Sequence, residues 1–125
     1  MPVTAQEFRR TALSLPETEA RSHMDHPDFR VAGKIFATLG YPDKSFGMLK
    51  LTPIEQQIFM KAEPKAFVPC RGKWGLRGAT SVKLAAVKKA TLRRALTAAW
   101  TLGIALAHPK SKKKPVESKK PGTRR

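Results

Sequence analysis

The stretch DHPDFRVAGKIFATL, Asp25 to Leu39, decides how this chain is read. Phe29 and Val31 fall on one side of an extended backbone and Asp28 and Arg30 on the other, the period-two alternation of a half-buried strand. Ile35, Ala37 and Leu39 repeat the rhythm. Gly33 interrupts it, as a turn between two short strands, as a bulge, or as a point of close backbone approach within one long strand. A phosphate-binding loop is excluded. That motif needs an earlier glycine where this chain has Asp28, and a Ser or Thr where it has Ile35. Lys34 then reads as a strand residue with its ammonium in solvent.

Upstream, VTAQEFRRTALSL sets Thr4 three residues before Glu7, a capping box, and spaces Phe8, Ala12, Leu13 and Leu15 as a helix would. Pro16 stops that helix, and ETEARSHM follows as a polar edge strand. Downstream, YPDKS reverses the chain and FGMLKL begins a further strand. Thr52 as N-cap, Pro53 at the first helical position and Glu55 at N3 predict a second helix with Ile54, Ile58 and Phe59 on one face. It ends before Pro64. KAFVPCRGKWGLRGATSVKLAAV predicts a short strand around Phe67, a mobile basic loop punctuated by Gly72, Gly75 and Gly78, and a strand from Thr80 to Leu84. From Lys89 to Ala107, Leu92, Leu96, Ala99, Gly103 and Leu106 recur at helical spacing, with Trp100 at the helix edge.

These elements predict an α+β fold: a two-layer sandwich with an antiparallel five-stranded sheet packed by helices, in the order α-β-β-β-α-β-β-α. One domain is expected over residues 1–108, followed by a basic disordered tail over 109–125, where KSKKKPVESKKPGTRR has neither periodicity nor apolar content to pack. No apolar run approaches the ~20 residues that cross a bilayer, so no membrane role is expected. There is no basic and apolar leader, and the single cysteine, Cys70, has no partner for an internal disulfide. Together these predict a cytoplasmic protein.

The charge is the strongest global signal, 25 Lys and Arg against 9 Asp and Glu, a net +16. Its distribution says more. Residues 1–64 balance eight basic against eight acidic side chains, residues 65–108 carry nine basic and no acidic ones, and residues 109–125 carry eight and one. An excess confined to one part of the chain builds a sustained positive potential that favours polyanions.

Within the acid-free part, CRGKWGLRG places Arg71, Lys73 and Arg77 around Trp74, and cations beside an indole suit phosphate contact with base stacking or an inserted wedge. The alternative is that Trp74 folds into the core. GKWG matches the G-x-x-G of KH domains, but that loop joins helices and this one joins strands. Lys88, Lys89, Arg93 and Arg94 cluster at the start of the last helix, where cations oppose the macrodipole and an anionic partner would resolve the conflict. HMDHPD gathers His23, Asp25, His26 and Asp28, yet their spacing does not converge them without a turn, and no metal is expected. Cys70 lacks a base and an orienting acid in its vicinity in sequence and reads as a plain, partly buried thiol.

LSLPETEARSHMDHPDFRVAGKIFATLG, the later PKAFVPCRGKWG and the closing LRRALTAAWTLGIAL resemble the MmcQ/YjbR family over about residues 4–108. His26, Pro27, Phe29, Arg30, Val31, Gly33, Lys34, Phe36 and Ala37 fit its signature, and Trp74 and Trp100 fall where it tends to carry aromatics. The resemblance implies a CyaY-like or secretion-chaperone-like two-layer fold and a DNA-binding role through a double-wing motif. Two features depart from it: the acid-free AVKKATLRR before the last helix, and the long basic tail.

The expected function is that of a small bacterial DNA-binding protein without catalytic activity or cofactor, binding phosphates largely without regard to sequence. Arg71, Lys73, Arg77, Lys83, Lys88, Lys89, Arg93 and Arg94 would contact phosphates, Arg30 and Lys34 extend the surface, and Lys112, Lys113 and Lys114 in the tail add reach. The alternative is a protein-interaction or small-ligand module using an apolar groove on the sheet. Oligomeric state is not legible in the residues; a monomer is the default.

Overall fold

Thr4 accepts a hydrogen bond from the Glu7 N–H, and the Glu7 carboxylate accepts one from the Thr4 N–H, so α1 (Ala5–Leu13) starts where its orphan donors are satisfied. The computed structural model describes residues 3–23, 26–40 and 43–107. After α1 come β1 (Thr18–His23), β2 (His26–Val31), β3 (Lys34–Leu39) and β4 (Phe46–Lys50), an antiparallel meander. The same reciprocal cap, Thr52 with Glu55, opens α2 (Pro53–Ala62). Then follow β5 (Phe67–Pro69), the short α3 (Gly72–Leu76), β6 (Ala79–Lys83) and α4 (Lys89–Ala107).

The sheet has six strands in the order β1-β2-β3-β4-β6-β5, all neighbours antiparallel. The count of five is thus corrected. Gly33 separates two strands, so four strands rather than three precede α2. Ala32 and Gly33 both have positive φ, 52° and 81°, as the tight two-residue hairpin between Val31 and Lys34 requires.

Register assigns the faces. Phe29 pairs with Ala37, Ala37 with Leu49, Leu39 with Gly47, Gly47 with Val82 and Val82 with Phe67, so these residues share one side of the sheet. That side carries the helices. Phe8 of α1 packs its ring 5.9 Å from that of Phe29, and Phe59 of α2 lies 5.5 Å from Phe67. On α4, Gly103 gives the backbone room to approach Val31 and Phe36, while Leu92, Ala95, Leu96 and Ala99 fill the layer between helix and sheet. Phe36 is buried although simple alternation would turn it outward. A register shift at Phe29/Arg30 leaves Phe36 without an opposite residue, and the bulge lets it join the core.

By the same register Arg30, Thr38, Met48, Lys50, Ser81 and Lys83 project to the opposite side, on which none of the three longer helices packs. Two readings of local structure are overturned. The stretch expected to be a loop contains a helical turn, α3. Of the residues expected to share a face of α2, Phe59 packs inward, but Ile54 and Ile58 are 73% and 58% exposed, while Gln56 is buried. The physical reason is polar. The Gln56 Nε2 donates toward Gly75 O, Ala79 O and Thr80 Oγ1, each at 3.1 Å, acceptors that α2 covers and that water therefore cannot reach.

Candidate nucleic-acid interface

The acid-free segment does not present its cations on one surface. The architecture divides them between the two layers.

Lys34 follows the Ala32–Gly33 turn, pairs with the core-facing Val31 and is exposed at the end of the sheet. Lys50, at the end of β4, reaches the same end of the sheet, and its Nζ lies 5.7 Å from the centroid of the Trp74 ring. Burial, and secondarily the nearby Lys34, holds the Lys50 ammonium below its ordinary range. Trp74 is 65% exposed, which decides between the two readings of that residue: it is not a core side chain. Arg71, Lys73 and Arg77 are exposed around it, Arg71 at the N-cap of α3 and Arg77 at its C-cap. Their side chains have no carboxylate partner among the described residues. Lys83 is also exposed but stands at the far end of β6, beside Asp43, whose carboxyl is held below its ordinary range first by Ser45 and to a lesser degree by Lys83.

Arg30 shares the open face but is already committed. Its Nε donates to Asp28 Oδ1 at 2.8 Å and its Nη2 to Oδ2 at 3.2 Å, a two-pronged pair that also holds the guanidinium above its ordinary range. The Asp28 side chain is fully buried, contrary to the simple alternation that would leave it wet, and Arg30 supplies its counter-charge. Arg30 therefore braces β2.

On the helix side, Lys88, Lys89, Arg93 and Arg94 are exposed near the start of α4. The Lys89 Nζ lies 2.7 Å from Glu7 Oε2 of α1, and that contact is the main reason the Glu7 carboxyl is held below its ordinary range. The Lys88 N–H donates to Glu63 Oε1. Glu7 of the front half thus neutralises one charge of the helix-side cluster. A shallow groove of about 310 Å³ between α1 and α4 is lined by Glu7, Arg10, Thr11, Lys89 and Arg93. Arg93 and Arg94 have no carboxylate partner among the described residues.

The structure therefore brings together Lys50, Trp74 and the α3 cations Arg71, Lys73 and Arg77, with Lys34 near Lys50 at that end of the sheet, and sets Lys88, Lys89, Arg93 and Arg94 apart on the other layer. Lys112, Lys113 and Lys114 lie outside the described residues, as does the rest of the stretch from residue 108. Lys50 was missed in the sequence. The signal was present, since Gly47 and Leu49 alternate inward and so turn Met48 and Lys50 to the open face.

The remaining candidates have simpler surroundings. Cys70 Sγ lies 3.5 Å from Ser81 Oγ, and burial pushes its thiol up, away from a reactive thiolate. Of HMDHPD, Asp25 and the His23 side chain lie outside the described part, and Asp28 is held by Arg30. Among the described residues no three potential ligands cluster as a metal site, and no helix is long and apolar enough to cross a membrane.

A family model described as YjbR matches residues 13–102. The crystal structure of Deinococcus radiodurans protein DR2400, with a DUF419 domain, is similar with a TM-score of 0.67 at 18% identity, covering 90% of this chain and 83% of that one. No curated protein matches the chain.

Proposed function

The chain belongs to the YjbR family, and from that premise and the placement of its cations we propose that it is a non-catalytic DNA-binding protein that acts by neutralising backbone phosphates. The observation that carries this reading is that Arg71, Lys73, Arg77, Arg93 and Arg94 are all exposed with no carboxylate partner among the described residues. Cations that stabilise a fold find acids. These do not, and residues 65–108 contain no acid to offer them. The sheet-side group around α3 is the main contact surface, because there the cations adjoin an exposed indole. The α4 group and the Lys-rich segment after Ala107 engage phosphates beyond it.

Fluorescence anisotropy of labelled duplex, titrated over a salt series, tests the proposal. With about six phosphates neutralised, log affinity falls with log salt at a slope of roughly −5. A chain ending at Ala107 is expected to bind with a shallower slope. Loss of all binding in that form would assign the activity to the last segment alone, and no binding by either form would remove the proposal.

A second reading has its own support. Ile54, Ile58 and Leu76 are large apolar side chains left 58% to 80% exposed on α2 and α3, as in a protein-interaction surface. Replacing Ile54 and Ile58 of α2 by polar residues should leave DNA affinity unchanged. A partner lost on that substitution would favour the second reading.

A further inference from the structure

An unpaired nucleotide asks for two things at once, a flat apolar surface for its base and a cation within reach for its phosphate. The end of the open sheet face has both. Trp74 is 65% exposed on a helix of five residues, although tryptophan is usually largely buried. The Lys50 ammonium lies over its ring at 5.7 Å. Gly72, two residues before Trp74, has open space where a Cβ would stand, so nothing blocks backbone approach from that side.

Lys50 is the second observation. It is half-buried, feels the charge of Lys34, and pairs with no carboxylate among the described residues. A partly desolvated ammonium with a like charge beside it and no counter-ion gains more from an incoming phosphate than a free surface lysine does. The aromatic platform and the unneutralised cation are the same few ångströms of surface.

We infer that Trp74, with Lys50, docks one unpaired nucleotide of a single strand, the base against the indole and the phosphate against the ammonium group. The inference rests on the polyanion-binding reading above and names the form of nucleic acid preferred. A duplex keeps its bases stacked inside and offers this site phosphates only, so the indole contributes nothing to duplex affinity unless a base is first extruded.

The test uses the full chain with labelled oligothymidylate of about 16 nucleotides and a duplex of equal length. The single strand should bind more tightly. Trp74→Ala should weaken it by about 5- to 100-fold, the loss of one stacked base, and change duplex affinity less than about 2-fold. Trp74→Phe should restore most of the loss, and Lys50→Met should weaken the single strand further than Lys83→Met does. In a Trp100→Phe background, oligothymidylate should quench the Trp74 emission and duplex should not. Free thymidine monophosphate should not displace the strand; full displacement would overturn the strand assignment. Binding to neither probe would remove the polyanion reading and this inference with it. Binding to both, with Trp74→Ala indistinguishable from the parent on the single strand, would overturn this inference alone. A larger loss on duplex than on single strand would replace it with a wedge inserted between base pairs.

Discussion

Ala32 adopts a left-handed backbone at φ 52° beside Gly33 at 81°. Only glycine occupies that region without cost, and asparagine and aspartate tolerate it better than alanine does. The turn fixes the register of β2 on β3, so its strain is repaid by the hairpin. Ala32→Asn creates the Asn-Gly pair that such turns favour and should raise stability by about 0.5–1 kcal/mol in chemical denaturation. Glu7 offers a residue-level prediction of a different kind. Its folded pKa lies below the ordinary value, chiefly through Lys89, so the contact contributes stability above the ordinary carboxylate range and loses it as pH falls through the depressed folded value. The melting temperatures of the parent chain and Glu7→Gln should therefore differ near neutral pH and converge in acid.

Elements built on backbone rules were legible in the residues. Both capping boxes, the Pro53 start of α2 and the span Lys89–Ala107 of α4 follow from cap chemistry and spacing alone. What was not legible depends on distant neighbours. No local rule says that Gln56 rather than Ile54 faces inward, because its acceptors at Gly75, Ala79 and Thr80 lie nineteen or more residues away. Phe36 is buried through a bulge defined by two strands together, and the exposure of Trp74 depends on how α3 is held at the sheet end. That dependence gives a prediction. Gln56 ties α2 to α3 and β6, so Gln56→Leu, close in size, should cost about 1–2 kcal/mol by removing buried hydrogen bonds to carbonyls that keep only their backbone donors. It should also free α3 locally, seen as faster amide exchange at Gly75 and Leu76 than in α4.

For the whole molecule, a net +16 on 125 residues means self-repulsion in the compact state. Melting temperature should rise between about 10 mM and 150 mM salt as screening sets in, while DNA affinity falls over the same range. Opposite responses to one variable would separate the cost of the charge from its use. The division of cations between the sheet face and the α4 side was not legible, since composition counts charges without assigning them to layers. Register and helix packing do that.

The position of β6 carries a consequence for synthesis. Among the described residues it is the last strand in chain order, yet it stands inside the sheet, between β4 and β5. Until Ala79–Lys83 leaves the ribosome, β4 keeps a bare pairing edge and β5 has no neighbour at all. A nascent chain stalled before that point presents an open β edge to other chains, and emergence of β6 is what closes it.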